Sequence, residues 1–388
     1  MKKIPVWATI PLLAFVLSRL LIFGVGVLAD TMLPTEEGHW IADANSPFLS
    51  MWTKWDSQYY VDIATNGYWY RPNQQSNVAF FPLYPMMMRV VSKFFNGNLI
   101  LTGFILSNLA FLGALIFFYL LTELELDSDS AKRAVFYLAF FPTSFFFSSL
   151  YTESLFVLLS VVTMYFARTH HWKTATVFGI LTAATRNLGI LIWPLVVWEW
   201  LRVQGWSFNS IYKKQTWLNL WNGFKQNWFE LVILCLIPLG MLAYIYFLKV
   251  NFERPFAFIE TQAAWGRENI GLLAVLKKNI SALTTSEINK GWFTQFWNVS
   301  TIIFFLALVP FIWLKLGEGY AIFVLIMLLV PTSSAVGSVI RYVLTQFPAF
   351  MLLGWWGRRE DVDRVISFSF AVLLGVFVSI FVNWIFVA

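Results

Sequence analysis

Long apolar runs restrict the fold of this chain more than any other feature. A helix needs about 20 apolar residues to cross a bilayer. Hydrophobic residues make up 59% of the 388-residue chain and charged residues only 12%, whereas about a quarter of a typical soluble domain is charged. The pattern predicts an all-α polytopic membrane protein that forms a single domain over residues 1–388. The runs lie at 4–28, 99–122, 132–149, 151–168, 229–249, 298–315, 319–334, 337–356 and 366–387.

Two segments bear on the number of membrane helices. The run at 4–28 is longer than the apolar core of a signal peptide and no convincing cleavage motif follows it, so we expect a transmembrane helix. The interval 173–201 is too long for one ordinary span, and Thr185-Arg186-Asn187 and Pro194 interrupt it. It predicts two half-spanning helices that meet near Arg186, for a total of about eleven membrane segments.

The distribution of charge predicts an orientation. Lys and Arg gather at the start of the chain, after residue 201 and near 358–364, and such clusters favour the cytoplasmic side. Acidic residues predict a first extracytoplasmic loop at 29–98, and helix counting predicts a second at 250–297. Aromatic spacing from Trp52 to Thr65 predicts a helix along the membrane surface. Membrane lipids are expected partners, and nucleic acid is not, because no soluble domain carries a basic stripe.

The stretch Trp55-Asp56-Ser57-Gln58-Tyr59-Tyr60 is the strongest candidate for chemistry. It places a carboxylate beside the rings of Trp55 and Tyr59 at the expected outer surface. Transfer of a sugar with inversion needs one carboxylate to take the proton of the attacking hydroxyl group. Asp56 is therefore the candidate base.

A structural role for Asp56 stays open at this point. Its carboxylate could instead cap the following helix or pair with Lys54 or Arg71. Asp62, further along the same predicted helix, is expected to be a solvated surface charge.

Three arginines, Arg19, Arg186 and Arg341, lie in apolar surroundings. An arginine near the middle of a span costs at least about 2.5 kcal/mol, so each should face the protein interior or a cavity and have a partner. The planar guanidinium group suits phosphate because it donates two hydrogen bonds to one group. Arg186 and Arg341 are phosphate candidates, with a structural ion pair as the open alternative. Arg19 is expected to pair with an outer-loop carboxylate or to snorkel to the interface.

Three further side chains are candidates for substrate contact. Glu153 follows a proline-interrupted turn and could bind sugar hydroxyls or orient Asp56. Equally, it could satisfy free amides at the start of the next helix. Gln262 and Trp265 could offer an amide and a stacking ring to a sugar. The histidines form no ligand spacing with cysteine or carboxylates and no Asp-x-Asp motif occurs, so a metal site is not expected.

Together these motifs resemble the PIG-V family, which comprises the second mannosyltransferase of glycosylphosphatidylinositol (GPI) assembly and its prokaryotic relatives. They occur in the family's order from about residue 18 to residue 350. The matching motifs are Trp55-Asp56 with Tyr60, Ile63-Ala64 and Gly67-Tyr68; Ala79-Phe80-Phe81-Pro82-Leu83-Tyr84-Pro85; Phe141-Pro142 through Tyr151-Thr152-Glu153-Ser154-Leu155-Phe156; Thr185-Arg186 with Gly189; and Arg341-Tyr342 with Phe347-Pro348.

The resemblance implies a GT-C type bundle with interfacial helices in the first outer loop. It implies that Asp56 is the catalytic base and that Arg186 and Arg341 hold the donor phosphate. The donor would be a polyprenyl-phosphate sugar, typically mannose; it is a substrate, so no cofactor is firmly implied, and a divalent metal is not expected. The expected substrate contacts are Trp55, Tyr59, Glu153, Gln262, Trp265 and Tyr342.

The expected function is that of an inverting glycosyltransferase. It would move mannose or a similar hexose to a hydroxyl of a glycolipid or cell-surface glycan, on the outer face of a prokaryotic membrane or the lumenal face of the endoplasmic reticulum in a eukaryote. The region around Gln262 and the short loops depart from the eukaryotic members, so an acceptor other than the GPI precursor is expected. A transferase of another sugar or onto protein, a lipid or sugar flippase, and a small membrane partner remain open.

Overall fold

The computed structural model describes residues 5–35, 39–40, 42, 46–267 and 270–386. All regular structure within these ranges is helical, which confirms the all-α expectation. The α-helices are α1 (Val6–Met32), α2 (Pro47–Ser50), α3 (Ser57–Asn66), α4 (Leu83–Val91), α5 (Leu99–Glu125), α6 (Ser128–Phe140), α7 (Glu153–Arg168), α8 (Trp172–Ala183), α9 (Ile192–Val203), α10 (Lys214–Leu234), α11 (Leu239–Phe252), α12 (Ala257–Glu260), α13 (Leu272–Thr285), α14 (Lys290–Leu316), α15 (Glu318–Thr332), α16 (Val339–Tyr342), α17 (Phe347–Trp356) and α18 (Glu360–Val382). Short 3₁₀ turns lie at Asn77–Ala79, Ser92–Phe95, Ser144–Phe147, Asn187–Leu191, Phe208–Ser210, Thr261–Trp265 and Val343–Thr345.

Within the described residues, four helices are long and apolar enough to cross a membrane, namely α1, α5, α14 and α18. The pair α10 and α11, bent by 41°, makes up to five. The expected number of about eleven membrane segments is not confirmed, because several apolar runs are divided into shorter helices. Helices α15 and α17, for example, are apolar but only 15 and 10 residues long.

The bundle is organised around α5, which packs against α1, α6 and α7. Helix α5 is apolar on all sides, as expected of a helix surrounded by other helices or lipid. The aromatic ring of Phe111 on α5 stacks on that of Phe147, in the 3₁₀ turn that follows α6, at a centroid distance of 4.2 Å. This core holds the turn after α6, and with it the start of α7, in a defined position.

The chain bends where the sequence predicts two short helices. Helix α8 ends at Ala183, a 3₁₀ turn follows at Asn187–Leu191, and α9 starts at Ile192, so the two helices do meet beside Arg186. Gly189 makes the bend feasible, because a Cβ atom at this position would lie 2.1 Å from the carbonyl oxygen of Thr182. The backbone amide of Leu83 in the first loop donates to the carbonyl of Ala184 at 3.2 Å. This bond ties the bend to the first loop.

The helix expected over residues 52–65 starts later, since α3 covers Ser57–Asn66. Its C-terminal end is fixed by Asp62, whose carboxylate accepts hydrogen bonds from Trp69 Nε1 at 2.6 Å, Asn77 Nδ2 at 2.9 Å and Asn66 Nδ2 at 2.8 Å. The expectation that Asp62 is a solvated surface charge is therefore wrong. Asp62 instead organises the backbone between α3 and the 3₁₀ turn at Asn77–Ala79.

The segments expected to form the two large loops meet at one end of the bundle. Tyr70 donates a hydrogen bond to Glu260 at 2.9 Å, and the backbone amide of Ser76 donates to Thr261 Oγ1 at 3.2 Å. These contacts join the first loop to the segment that includes α12. The joined segments form one wall of a large cavity.

Candidate active site

A cavity of about 960 Å³ opens between the first loop, the start of α7, the bend after α8, the turn after α12, and α16. It lies at the upper end of the range of about 300–1,000 Å³ that is usual for ligand sites. All site residues expected from the sequence line this cavity: Trp55, Asp56, Tyr59, Glu153, Arg186, Gln262, Trp265, Arg341 and Tyr342. Residues that lie far apart in the sequence are thus brought to one place.

Two carboxylates and two guanidinium groups form a continuous chain in the cavity. Arg341 Nη1 donates to Asp56 Oδ2 at 2.7 Å, and Arg341 Nε lies 3.6 Å from Glu153 Oε1. The same Glu153 oxygen accepts a hydrogen bond from Arg186 Nη1 at 3.2 Å. The side chain of Asp56 is 28% exposed and that of Glu153 only 2%. Asp56 is therefore the carboxylate that an incoming substrate can reach.

The two structural alternatives for Asp56 are not observed. It occupies the N-cap position of α3, but its carboxylate makes no capping hydrogen bond. Its described ion-pair partner is Arg341 rather than Lys54 or Arg71. Glu153 is the first residue of α7, but no side-chain capping hydrogen bond is made at this helix start; its carboxylate instead contacts both arginines.

Tyr151 fixes the backbone around Asp56. Its hydroxyl donates to the carbonyl oxygen of Lys54 at 3.1 Å and accepts from the backbone amide of Asp56 at 3.2 Å. Trp55, between these two residues, has a φ of +54°, which is a strained conformation for a bulky side chain. The backbone that presents Asp56 is thus held by tertiary contacts against its local preference.

Sequence reasoning missed Arg267, which lines the cavity. Its Nη2 donates to the hydroxyl of Tyr342 at 2.5 Å. The ring of Tyr342 has three guanidinium groups near its face: Arg186 at 5.3 Å, Arg341 at 5.4 Å and Arg267 at 5.6 Å. Arg267 lies in the predicted second loop, where an arginine is unremarkable, so only the folded chain distinguishes it. The three cations make this part of the cavity suitable for a phosphate group.

Aromatic rings line another part of the cavity. Tyr59 stacks on Phe80 at 4.7 Å, and Trp265 meets Tyr59 edge to face at 5.9 Å. Burial raises the pKa of Tyr59, and the carboxylates of Asp56 and Asp62 add to the rise, so its hydroxyl keeps its proton at neutral pH. It donates to Gln75 Oε1 at 3.1 Å. Flat rings beside hydrogen-bonding groups are suited to an apolar surface edged by hydroxyls, as in a sugar.

Arg19 does not belong to this cavity. It is 4% exposed, its Nη1 donates to Ser148 Oγ at 2.7 Å, and its guanidinium group lies 4.8 Å from the ring centre of Phe111. Among the described residues no carboxylate pairs with it. The expected ion pair and the expected snorkelling are both wrong, because Arg19 lies inside the bundle, where a hydroxyl, a backbone carbonyl and a ring contact it.

The described residues contain no group of three or more His, Cys, Asp or Glu side chains that could hold a metal ion. The carboxylates of Asp56 and Glu153 are engaged by arginines instead. That no metal takes part remains a prediction.

Comparison with known proteins relates this arrangement to a family. The family described as "Mannosyltransferase (PIG-V)" matches residues 11–323. Over 131 residues the chain is 29% identical to GPI mannosyltransferase 2 of Drosophila pseudoobscura pseudoobscura, and the match covers 31% of this chain and 28% of that protein. The chain thus spans between a quarter and a third of the length of this curated relative.

Among solved structures, ArnT from Cupriavidus metallidurans has a TM-score of 0.51 and 12% identity over 97% of this chain and 76% of its own. At this identity the likeness concerns the fold alone, and it confirms the GT-C type bundle. Together with its long apolar helices, this makes the chain an integral membrane protein. The match over residues 11–323 shows that the chain belongs to the mannosyltransferase (PIG-V) family.

Proposed function

We propose that this protein is an inverting glycosyltransferase that moves mannose, or a similar hexose, from a polyprenyl phosphate to a hydroxyl group of a glycolipid or glycan. The observation that carries the proposal is the 2.7 Å contact between Asp56 and Arg341 in the charged cavity. Family membership supports a mannosyl donor. The structure of ArnT from Cupriavidus metallidurans, determined with undecaprenyl phosphate bound, supports a polyprenyl carrier.

The reaction follows from the positions of these charges. The carboxylate of Asp56 takes the proton of the acceptor hydroxyl while the acceptor oxygen bonds to C1 of the sugar. The bond between C1 and the phosphate oxygen breaks, and its electron pair leaves with the polyprenyl phosphate. Arg186, Arg267 and Arg341 stabilise the additional negative charge. The acceptor oxygen attacks C1 in a single displacement, on the face opposite the departing phosphate, so the configuration at C1 inverts.

Donor binding would also change the state of the base. Arg341 is paired with Asp56, so this guanidinium group occupies one oxygen of the carboxylate. A phosphate group near Arg341 would compete with Asp56 for this guanidinium group. The carboxylate then becomes available when the sugar is in place.

The reaction is assigned to the extracytoplasmic face of a prokaryotic membrane. Both segments predicted to face outward, 29–98 and 250–297, contribute lining residues to the cavity. The clusters of Lys and Arg predicted to be cytoplasmic lie in other segments. These two observations support the outward orientation.

The test is transfer of labelled mannose by the purified protein in detergent. Asp56→Asn should keep donor binding and lower transfer by about 10²–10⁴-fold, because the amide cannot accept the proton. Asp129→Asn is the matched control, since Asp129 lies on the surface of α6 outside the cavity and pairs with Lys132. It should transfer at the wild-type rate.

Near-normal transfer by Asp56→Asn would show that Asp56 is not the base. Movement of the donor across vesicles without any covalent product would contradict the transferase proposal and favour a flippase. A preference for another polyprenyl-phosphate hexose over mannose would overturn the choice of sugar alone.

A further inference from the structure

A second cavity, of about 490 Å³, adjoins the first. Trp55, Gly337 and Phe386 line both, so the two cavities meet at these residues, directly beside Asp56. The volume falls within the range of about 300–1,000 Å³ that is usual for ligand sites. The remaining lining residues of the second cavity are Asn279, Lys290, Gly291, Thr294, Gln295, Asn298, Val336, Trp384 and Ile385.

The two cavities differ in charge. Six ionic side chains line the first, namely Asp56, Glu153, Arg186, Glu260, Arg267 and Arg341. Among the described residues that line the second, Lys290 is the only ionic one, and it is exposed. Side-chain amides, a hydroxyl group and two indole rings make up most of its other polar and aromatic surface. The first cavity is therefore suited to a phosphate, and the second to an uncharged polar group.

The amides of the second cavity are held in place. Gln295 Nε2 on α14 donates to Asn279 Oδ1 at 2.8 Å and to its carbonyl oxygen at 3.1 Å, which joins α14 to α13. None of these bonds uses the amide oxygen of Gln295. Asn298, only 1% exposed, accepts from the backbone amide of Ile340 at 3.1 Å. Ile340 precedes Arg341, so the second cavity is fixed relative to the ion pair at Asp56.

Trp55 forms the wall between the cavities. Its indole ring lies 5.5 Å from Trp384 and 5.2 Å from Phe386, both in edge contact. Its Nε1 is buried and finds no hydrogen-bond partner in the described part of the chain, and its φ is +54°. A buried unpaired donor in a strained backbone is costly. The position of Trp55 between two cavities and beside Asp56 is a functional reason for keeping this unfavourable conformation.

We propose that the second cavity binds the acceptor and that the acceptor presents an uncharged saccharide to it. This inference rests on the proposed glycosyltransferase function. The amide oxygen of Gln295 can accept a hydrogen bond from a sugar hydroxyl, and the indole rings offer flat apolar surfaces. The attacking hydroxyl reaches Asp56 past Trp55, while the donor phosphate remains in the charged cavity. The two substrates thus approach the carboxylate from different sides.

The experiment measures two reactions of a polyprenyl-phosphate [³H]mannose donor, transfer to an added alcohol and hydrolysis by water. The acceptor probes are n-octyl α-D-mannopyranoside and, as the alcohol without a sugar, 1-octanol. The variant is Gln295→Leu, which removes the amide and keeps a similar size. Its matched control is Gln215→Leu, because Gln215 also donates to an asparagine, Asn219, at 2.8 Å, but is exposed and outside both cavities.

We expect Gln295→Leu to raise the KM for the octyl mannoside by about fivefold or more. The donor KM, the hydrolysis rate and the weaker transfer to octanol should stay unchanged, as should all properties of Gln215→Leu. An unchanged KM for the mannoside would overturn the inference. So would equal use of octanol and mannoside by the wild type, or an equal loss of hydrolysis and transfer in Gln295→Leu. A wild type that neither hydrolyses nor transfers would refute the glycosyltransferase proposal itself.

Discussion

Arg341 contacts both Asp56 and Glu153, and Arg186 contacts Glu153, so two carboxylates balance the charge of two guanidinium groups. A buried guanidinium group without a partner would be strongly destabilising. The pairing therefore compensates the buried charges, while Asp56 remains accessible from the cavity. At the scale of the residue, the site is an ion-pair network that a phosphate can enter.

Arg267→Gln tests the cation that sequence reasoning missed. Since Arg267 contacts Tyr342 in the part of the cavity proposed to bind the donor phosphate, we expect the donor KM to rise roughly 10- to 100-fold, with a smaller change in kcat. Arg254→Gln is the control, because Arg254 is exposed and does not line the cavity. A fall in kcat at unchanged donor KM would contradict a role in binding the phosphate and indicate one in the chemical step.

At the scale of the element, the bend between α8 and α9 decides where Arg186 lies. A continuous helix through residues 172–203 would satisfy its own backbone hydrogen bonds, but the side chain of Arg186 would then point in a different direction. The 3₁₀ turn at Asn187–Leu191 packs so closely on α8 that only glycine fits at position 189. The break is thus built into the sequence and stabilised by packing.

Gly189→Ala should destabilise this element. The added methyl group would lie 2.1 Å from the carbonyl oxygen of Thr182 and 3.0 Å from Cα of Ala183, so the backbone must shift, at a cost of roughly 1–3 kcal/mol. A lower apparent Tm in detergent and a raised donor KM are expected. Gly375→Ala is the control, since a methyl group added there would have no atom within 4 Å. A wild-type Tm for Gly189→Ala would show that the bend has room to adjust.

At the scale of the whole molecule, the first loop is closed against the C-terminal end of the chain. Lys54 is 6% exposed, and its ammonium group lies 4.7 Å from the ring centre of Trp384, which follows α18. Trp384 in turn contacts Trp55. Residues from the first loop and from the segment after α18 therefore enclose the region around Asp56.

This closure predicts a dependence of stability on pH. Burial lowers the pKa of Lys54 to about 8, against the opposing effect of Asp30, whereas an unfolded lysine has a pKa of about 10.4. Between these values the unfolded chain binds a proton that the folded chain lacks, so stability rises as pH increases from about 8 to about 10. The apparent Tm should rise by about 2–4 °C or more over the same pH range.

Lys54→Met should be more stable than the wild type near pH 7. It should also lose much of the increase in stability between about pH 8 and about pH 10. Lys93→Met, at an exposed position, serves as the control and should keep the wild-type profile. Apparent Tm values between pH 7 and pH 10 would check both expectations. An identical pH profile for Lys54→Met and the wild type would rule out Lys54 as the source.

The sequence by itself determined the helical class and the break near Arg186, and it identified Asp56, Glu153, Arg186 and Arg341 as candidates for a charged site. These follow from apolar length, from interruptions of helical pattern and from charged residues that must find partners in apolar surroundings. These are local properties, so they can be predicted from the sequence without knowledge of the fold.

The tertiary structure alone decided which partner each charge takes. It gave Arg341 rather than Lys54 to Asp56, a hydroxyl rather than a carboxylate to Arg19, and Arg267 to Tyr342. It also divided apolar runs into shorter helices and placed a second, nearly uncharged cavity beside the first. The physical reason is that ion pairs and cavities depend on distances between segments that are remote in sequence. Such distances are set by packing, which no local pattern specifies.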